Sequence, residues 1–278
     1  MAEQVVSGQH AFETGGTIVA YYVRGRGPPC FVAPYAWGVN SDVIRSFFRP
    51  LESRLTFIYQ DPPGTGRSGP PMGESDLGLD RVVSDLFALQ SRLGIAHAAF
   101  LGHSSGSASA LVYAMKYPDR VTDLVLVGAG ALFPDILKSP EMSAIIDPET
   151  RERNEERFRR FVAYLLAPEI KTRKGRLAMG RAMKSSMGLN IDRAGFNFNE
   201  MRTWDVREDL GDVSVRTLIL AGKHDKLTPL KWAREMRRSI PDCTLVTFER
   251  SGHFPFLDEP ERFRHAVLEF LRPNQPKR

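Results

Sequence analysis

Leu101-Gly102-His103-Ser104-Ser105-Gly106-Ser107, LGHSSGS, is the stretch that decides how this chain folds. Residues 102–106 spell G-x-S-x-G. The apolar run Ala98 to Gly102 (AAFLG) in front of it reads as a buried strand, and the small-residue run from Ser107 to Tyr117 behind it reads as a helix. A serine on such a strand-to-helix turn takes strained backbone angles, and the residues two before and two after it must be small for strand and helix to approach. Ser104 Oγ is then expected at the carboxyl edge of a sheet, with the Ser105 N–H at the positive end of the new helix, aimed at any oxyanion formed there. As a bare pattern the motif occurs by chance in many chains; its flanking strand and helix, and its partners, give it weight.

A nucleophilic serine needs a base, and the base needs an orienting acid. Of the six histidines, His10 and His97 precede the turn, His103 lies inside it and His265 falls on the last helical pattern. His224 and His253 remain as loop candidates. His253, in Ser251-Gly252-His253-Phe254-Pro255, follows the strand-like run TLVTF, while Asp225, next to His224, follows the run TLIL. An acid after the penultimate strand and a base after the last give the order Ser104, Asp225, His253, which is the order expected on a sheet of this type.

Around these residues, short apolar strands alternate with helical patterns, which predicts a largely parallel sheet covered on both faces. Strands are expected over Thr17 to Val23, Cys30 to Ala33, Leu55 to Gln60, Ala98 to Gly102, Val121 to Val127, Thr217 to Leu220 and Thr244 to Phe248. Leu79, Val82, Val83, Leu86, Leu89 and Leu93 mark one face of a helix ending near Gly94, and a last helix is expected from Pro260 to Leu271. From Ala131 to about Trp204 the alternation stops. That segment is helical, charged and broken by Pro134, Pro140, Pro148 and Pro168, the pattern of an inserted helical lid.

A second glycine cluster, Gly64 to Gly69 (GTGRSG), matches the dinucleotide-binding pattern G-x-G-x-x-G. The strand LTFIYQ precedes it, yet Asp61-Pro62-Pro63 and Gly69-Pro70-Pro71 enclose it, so no helix opens there to offer free N–H groups to a pyrophosphate. An irregular structural turn is the reading that remains.

At 278 residues, with 42% hydrophobic and 26% charged side chains, the chain has the composition of an ordinary globular protein with one large core. No signal-peptide pattern and no membrane-length apolar run is found, so a cytoplasmic location is expected, with no membrane partner. Cys30 and Cys243 lie in or near apolar runs and lack metal-site spacing; no metal or cofactor is expected. The net charge of +5 is concentrated between Arg151 and Lys184, where eleven Lys/Arg face four Glu. These charges interleave with Phe158, Phe161, Val162, Leu165 and Leu166 at helical spacing, so they read as the solvated face of an amphipathic helix and not as a nucleic-acid surface. The expected partner is a small-molecule substrate, on a monomer or homodimer.

Taken together, these motifs resemble the α/β-hydrolase superfamily over nearly the whole chain, from about Thr17 to Leu271. The resemblance implies an α/β fold with a mostly parallel eight-stranded sheet, helices on both faces and an inserted lid: core at 1–130 and 205–278, lid at 131–204. It also accounts for Asp61 to Ser68 (DPPGTGRS), which is similar to the family's D-x-x-G-x-G-x-S scaffold loop. The lid position, the Trp204-Asp205 pair and Gly222 to Pro229 (GKHDKLTP) resemble the proline iminopeptidase-like branch. Two departures bear on function. Family members usually carry His-Gly-Gly-Pro-Gly after the third strand; here it is Ala33-Pro34-Tyr35-Ala36-Trp37-Gly38. Pro34 has no N–H, so the second oxyanion donor is Tyr35 or, with a shifted loop, Ala36, and Tyr35 is preferred. Aminopeptidases of this branch hold the substrate ammonium with acids, one of them directly after the catalytic Asp; here that position is Lys226, and Glu200 is the remaining match. The expectation is a serine hydrolase of a carboxylic ester or lactone, its pocket shaped by Trp37, Phe133, Phe158, Phe196, Phe198 and Lys226. An aminopeptidase, a lyase or cofactor-free oxygenase, and a non-catalytic receptor are the rivals on the same scaffold.

Overall fold

The computed structural model describes residues 5–35, 38–132, 162–185 and 190–272, together with Pro140, Glu156 and Arg160 as single positions. Eight strands, β1 (Gly8–Thr14), β2 (Thr17–Gly25), β3 (Pro29–Val32), β4 (Thr56–Gln60), β5 (Ala98–His103), β6 (Val121–Val127), β7 (Thr217–Gly222) and β8 (Cys243–Phe248), form one sheet in the order β1-β2-β4-β3-β5-β6-β7-β8. β1 and β2 run antiparallel to each other and β2 to β4; from β4 to β8 every pairing is parallel.

Alternation along the parallel strands divides the core in two. Phe31, Ile58, Phe100, Leu124, Leu126 and Ile219 face one side, under α2 (Leu79–Arg92), α3 (Ser105–Lys116) and α6 (Leu230–Ser239). Val32, Phe57, Leu101, Val125, Val127, Leu218 and Leu220 face the other, under α1 (Asp42–Phe48) and α8 (Pro260–Phe270), with Phe256 of the single-turn α7 (Pro255–Asp258) among them. Period-two side chains on strands covered on both faces give near-continuous apolar runs, and this is why the strands are legible in the sequence.

The strand readings agree with the sheet from β2 onward, with ends shifted by one or two residues. β1 was not anticipated, nor were α1 and α6. In β1 only Phe12 is buried, so the apolar signal is one residue deep. The available sign was Gly15-Gly16, whose φ angles of 54° and 79° make the tight turn that joins β1 to β2.

The inserted segment leaves the core after β6. Leu132 and Asp205 form an antiparallel bridge and the Val206 N–H donates to the Ala131 carbonyl at 2.8 Å, so chain exit and return are paired. Beyond this base lie a π-helical turn (Val162–Leu166), α4 (Arg173–Ser185) and α5 (Ile191–Met201). Polar side chains fasten α5 to the core: fully buried Arg193 donates through Nη1 to the carbonyls of Pro63 (3.0 Å) and Asp76 (2.8 Å), and Asn190 Nδ2 to that of Gly64 (2.8 Å). Glu200 accepts the Leu79 N–H at 3.0 Å, placing a carboxylate on the amino end of α2, where the helix dipole favours it.

Among the described residues no helix is long and apolar enough to cross a membrane, and no group of three or more His, Cys, Asp or Glu is arranged to hold a metal ion. Cys30 and Cys243 are free and buried; burial pushes the Cys243 thiol up to about 12 and raises that of Cys30 as well.

Candidate active site

The turn after β5 carries its serine under strain. Ser104 has φ 53° and ψ −125°, the only positive φ outside glycine among the described residues. Its N–H donates to the Val127 carbonyl at 2.9 Å, fixing the turn to the neighbouring strand. The two glycines are required by contact. A Cβ on Gly102 would lie 2.3 Å from the Gly106 carbonyl oxygen, and one on Gly106 would lie 2.6 Å from that of Ala33. The second contact also seats the loop after β3 against the first turn of α3. This brings Tyr35 beside the amino end of the helix that Ser105 opens.

Asp225 and His253 come from the loops after β7 and β8, and these loops are locked together. The N–H groups of Lys223 and His224 donate to the carbonyls of Phe248 (2.9 Å) and Ser251 (3.0 Å), and a Cβ on Gly222 would lie 2.0 Å from the Gly252 carbonyl oxygen. His253 Nδ1 donates to Asp225 Oδ2 at 2.8 Å, with both residues at most 5% exposed. Asp225 also accepts from Thr228 Oγ1 (2.6 Å) and from the N–H groups of Leu227 and Thr228 (both 2.8 Å). Burial alone would raise the Asp225 carboxyl, but the adjacent His253 and the Thr228 hydrogen bonds outweigh it and hold the group below its ordinary value. With Nδ1 fixed on the carboxylate, Nε2 is left as the basic nitrogen. It is buried without a hydrogen-bond partner among the described residues, and His253 and Ser104 line one cavity. His224, the other loop histidine, is exposed.

That cavity encloses about 480 Å³ of empty space, its open mouth included. Val39 and Val43 at α1, Met179 and Met183 on α4, and Leu166, Leu227 and Phe254 form its apolar wall; Tyr35 and His103 complete it. No Lys, Arg, Asp or Glu is among these lining residues. Of the residues expected from the sequence to shape the pocket, Phe196, Phe198 and Lys226 are among those described. Trp37, Phe133 and Phe158, like the alternative donor Ala36, lie outside the described residues. Phe198 is buried in the core cluster beneath α2 and α3, Phe196 is half-buried on α5, and neither lines this cavity. Lys226 is exposed, and its neighbour Leu227 is the one that reaches the wall. Met179 and Met183, four residues apart on one helical face, were the available sequence signal for the wall.

Two further carboxylates tie the inserted segment to these loops, and sequence reasoning singled out neither. Glu169, 2% exposed, accepts the Lys226 N–H at 2.9 Å. Asp258 accepts the N–H groups of Lys171 (3.1 Å), Thr172 (2.8 Å) and Gly252 (3.3 Å), which joins the segment before α4 to the residue preceding His253. The GTGRSG loop is built around a third. Asp61 accepts from the Ser41 N–H (2.8 Å), the Tyr22 hydroxyl (3.0 Å) and the Arg67 N–H (3.3 Å), and Gly64 and Gly66 have φ of 78° and 54°.

Comparison with known proteins agrees with this architecture. A family model described as the alpha/beta hydrolase fold matches residues 29–260. The 2-hydroxy-6-oxo-6-phenylhexa-2,4-dienoate hydrolase of Comamonas testosteroni is 25% identical over 95% of this chain and 91% of its own length. The pimeloyl-[acyl-carrier protein] methyl ester esterase of Pectobacterium atrosepticum is 27% identical over 91% of this chain and 98% of its own. Among solved structures, an alpha/beta fold family hydrolase from Bacillus anthracis superimposes with a TM-score of 0.79 at 25% identity, covering 95% of this chain and 99% of that one.

Proposed function

The chain belongs to the alpha/beta hydrolase fold family, and from that premise we propose that it is a serine hydrolase cleaving a carboxylic ester or lactone through an acyl-enzyme. The observation that carries the reading is the buried 2.8 Å contact of His253 Nδ1 with Asp225, which leaves Nε2 unpartnered among the described residues in a side chain that lines one cavity with Ser104. Ser104 Oγ attacks the carbonyl carbon and its proton passes to His253 Nε2. The resulting oxyanion is held by the N–H groups of Ser105 and Tyr35. Collapse breaks the C–O bond to the leaving group, which takes the proton from Nε2, and leaves Ser104 acylated. Water then repeats the sequence, giving up its proton to His253 as it releases the acid. Asp225 keeps the imidazole in the tautomer that both steps need and stabilises its cation.

The wall of the cavity supports an ester over a free-amine amide. An ammonium group requires an acid within reach; Glu200, the acid that the resemblance left for that role, instead accepts the N–H of Leu79. A neutral, apolar acyl or alcohol group fits a wall of Val, Leu, Met and Phe. The test combines two measurements. A fluorophosphonate should label Ser104 in the wild type and leave Ser104→Ala unlabelled, and p-nitrophenyl esters of uncharged acids should be turned over by the wild type about 10⁶-fold faster than by that variant. Turnover that survives in Ser104→Ala would remove the acyl-enzyme.

A further inference from the structure

His103 has no part in the reaction just described, yet both of its ring nitrogens are hydrogen-bonded beside Ser104. It ends β5, and strand alternation puts it on the same side of the sheet as Ala99 and Leu101. There it is 2% exposed, packed edge-on to Phe256 at 4.9 Å between ring centres and against Phe254 at 5.1 Å. A polar ring in such a setting is destabilising unless both nitrogens find partners, and both do. Nε2 lies 2.8 Å from the His253 backbone carbonyl oxygen, and Nδ1 lies 2.6 Å from the Tyr35 hydroxyl.

The direction of each bond follows from chemistry. A carbonyl only accepts, so Nε2 carries the proton; a neutral ring has one such proton, so Nδ1 is the acceptor and the Tyr35 hydroxyl donates. Burial, with the nearby His253, pushes the His103 imidazole down to about 3, and burial raises the Tyr35 hydroxyl, so neither group changes charge near neutral pH. The chain Tyr35 Oη–H to His103, then His103 Nε2–H to the His253 carbonyl, therefore runs in one fixed direction beneath the serine. It joins the loop that holds one proposed oxyanion donor to the backbone of the proposed base.

We propose that His103 is a positioning residue, a neutral strut that keeps the Tyr35 loop and the His253 loop in register on either side of Ser104. The inference rests on the roles given to Ser104, His253 and Tyr35 above. It extends them by making the x residue of the G-x-S-x-G turn the coupling between acid–base and oxyanion halves of the site. Displacing catalytic groups by a fraction of an ångström lowers turnover more than it lowers ground-state binding.

The experiment separates the two bonds. His103→Asn keeps an oxygen where Nδ1 accepts from Tyr35 and loses the bond to the His253 carbonyl; His103→Gln keeps a donor near that carbonyl and loses the acceptor for Tyr35. Tyr35→Phe removes one hydroxyl and leaves the Tyr35 backbone N–H in place. Each is assayed on a p-nitrophenyl ester, with active sites counted by fluorophosphonate titration. Labelling of wild-type Ser104 tests the underlying mechanism independently of the strut. Tyr35→Phe is expected to lower kcat per active site about tenfold with KM changed less than threefold. Adding it to His103→Gln should cost nothing more, since that bond is already gone, whereas adding it to His103→Asn should cost the full tenfold. Wild-type kcat per titrated site in Tyr35→Phe and the folded His103 variants would overturn the proposal. So would equal, additive losses on both backgrounds. Should the His103 variants fail to fold, the kcat-against-KM split of Tyr35→Phe alone decides, with an unchanged kcat overturning the strut.

Discussion

Two glycine-rich turns stand at the same edge of the sheet, on either side of β3: GTGRSG after β4 and GHSSG within the turn after β5. Both follow buried strands, both are enclosed by close backbone contacts, and either could be taken from its spelling for a ligand-binding motif. They differ in where their polar groups point. In the first, the Gly64 N–H donates to the Gly69 carbonyl at 2.7 Å, the Ser68 hydroxyl to the Asp61 carbonyl at 2.5 Å, and the Arg67 N–H to the Asp61 carboxylate, so the loop is closed on itself. In the second, the strained residue is the serine itself, its side chain lines a cavity, and the groups around it converge from four separate loops. A turn whose donors close on a neighbouring carboxylate is scaffold. A turn that holds a non-glycine residue at φ 53° keeps that strain because the surrounding structure overdetermines it, which is the pattern of a reactive site.

The two aspartates extend the contrast. Asp61 and Asp225 are both buried and both accept several hydrogen bonds, but Asp61 binds backbone N–H groups and a phenol, whereas Asp225 binds the imidazole of His253, a residue that lines the cavity with Ser104. Asp225→Asn is therefore expected to have the largest effect of the substitutions that separate these loops, lowering kcat by about 10⁴ through the wrong imidazole tautomer while the thermal midpoint moves little. A loss below about tenfold, measured by steady-state ester hydrolysis, would remove Asp225 from the reactive turn's group.

Next in size is Gly66→Ala in the scaffold loop. Its Cβ would lie 2.1 Å from Asp61 Oδ2, at a backbone angle disfavoured for alanine. A destabilisation of about 2–4 kcal/mol is expected, read as a fall of roughly 5 °C or more in Tm by calorimetry. kcat per folded molecule should stay within about threefold, and a selective loss of turnover with unchanged Tm would show that the loop acts on chemistry.

The smallest effect has the opposite sign. Ser104→Gly is expected to abolish the proposed hydrolysis, but it also releases the strained angle, worth about 1–3 kcal/mol, against roughly 0.5–1 kcal/mol of added chain entropy in the unfolded state. Tm should rise by about 2 °C. A fall would mean that the serine side chain contributes more to folding than its backbone strain removes.

Much of this was legible in the sequence because the signals are local. The seven strands of the parallel stack and its β2 border are apolar runs; the two turns are spelled by glycine, serine and proline; Asp225 and His253 each follow a strand. β1 was hidden because only Phe12 of its side chains is buried, and α1 and α6 because each is short, seven and ten residues, with only three buried side chains to mark it. Met179 and Met183 of the cavity wall were missed for a different reason. Phe196 and Phe198 are as apolar as Met179 and Met183, and only the packing of the inserted helices decides which pair faces the serine.

By itself, then, the sequence determined seven of the eight strands, the turn whose serine carries the strained angle and the strand ends that Asp225 and His253 follow, since each of these depends on residue type within a few positions. Tertiary structure alone decided what lies at long sequence separation: that Glu200 caps α2, that Leu227 lines the cavity while Lys226 faces solvent, and that His103 connects Tyr35 to His253 across 68 and 150 residues. The physical reason is that a hydrogen bond or a packed wall between distant segments leaves no local period or motif. It exists only once the sheet has brought its loops to one edge.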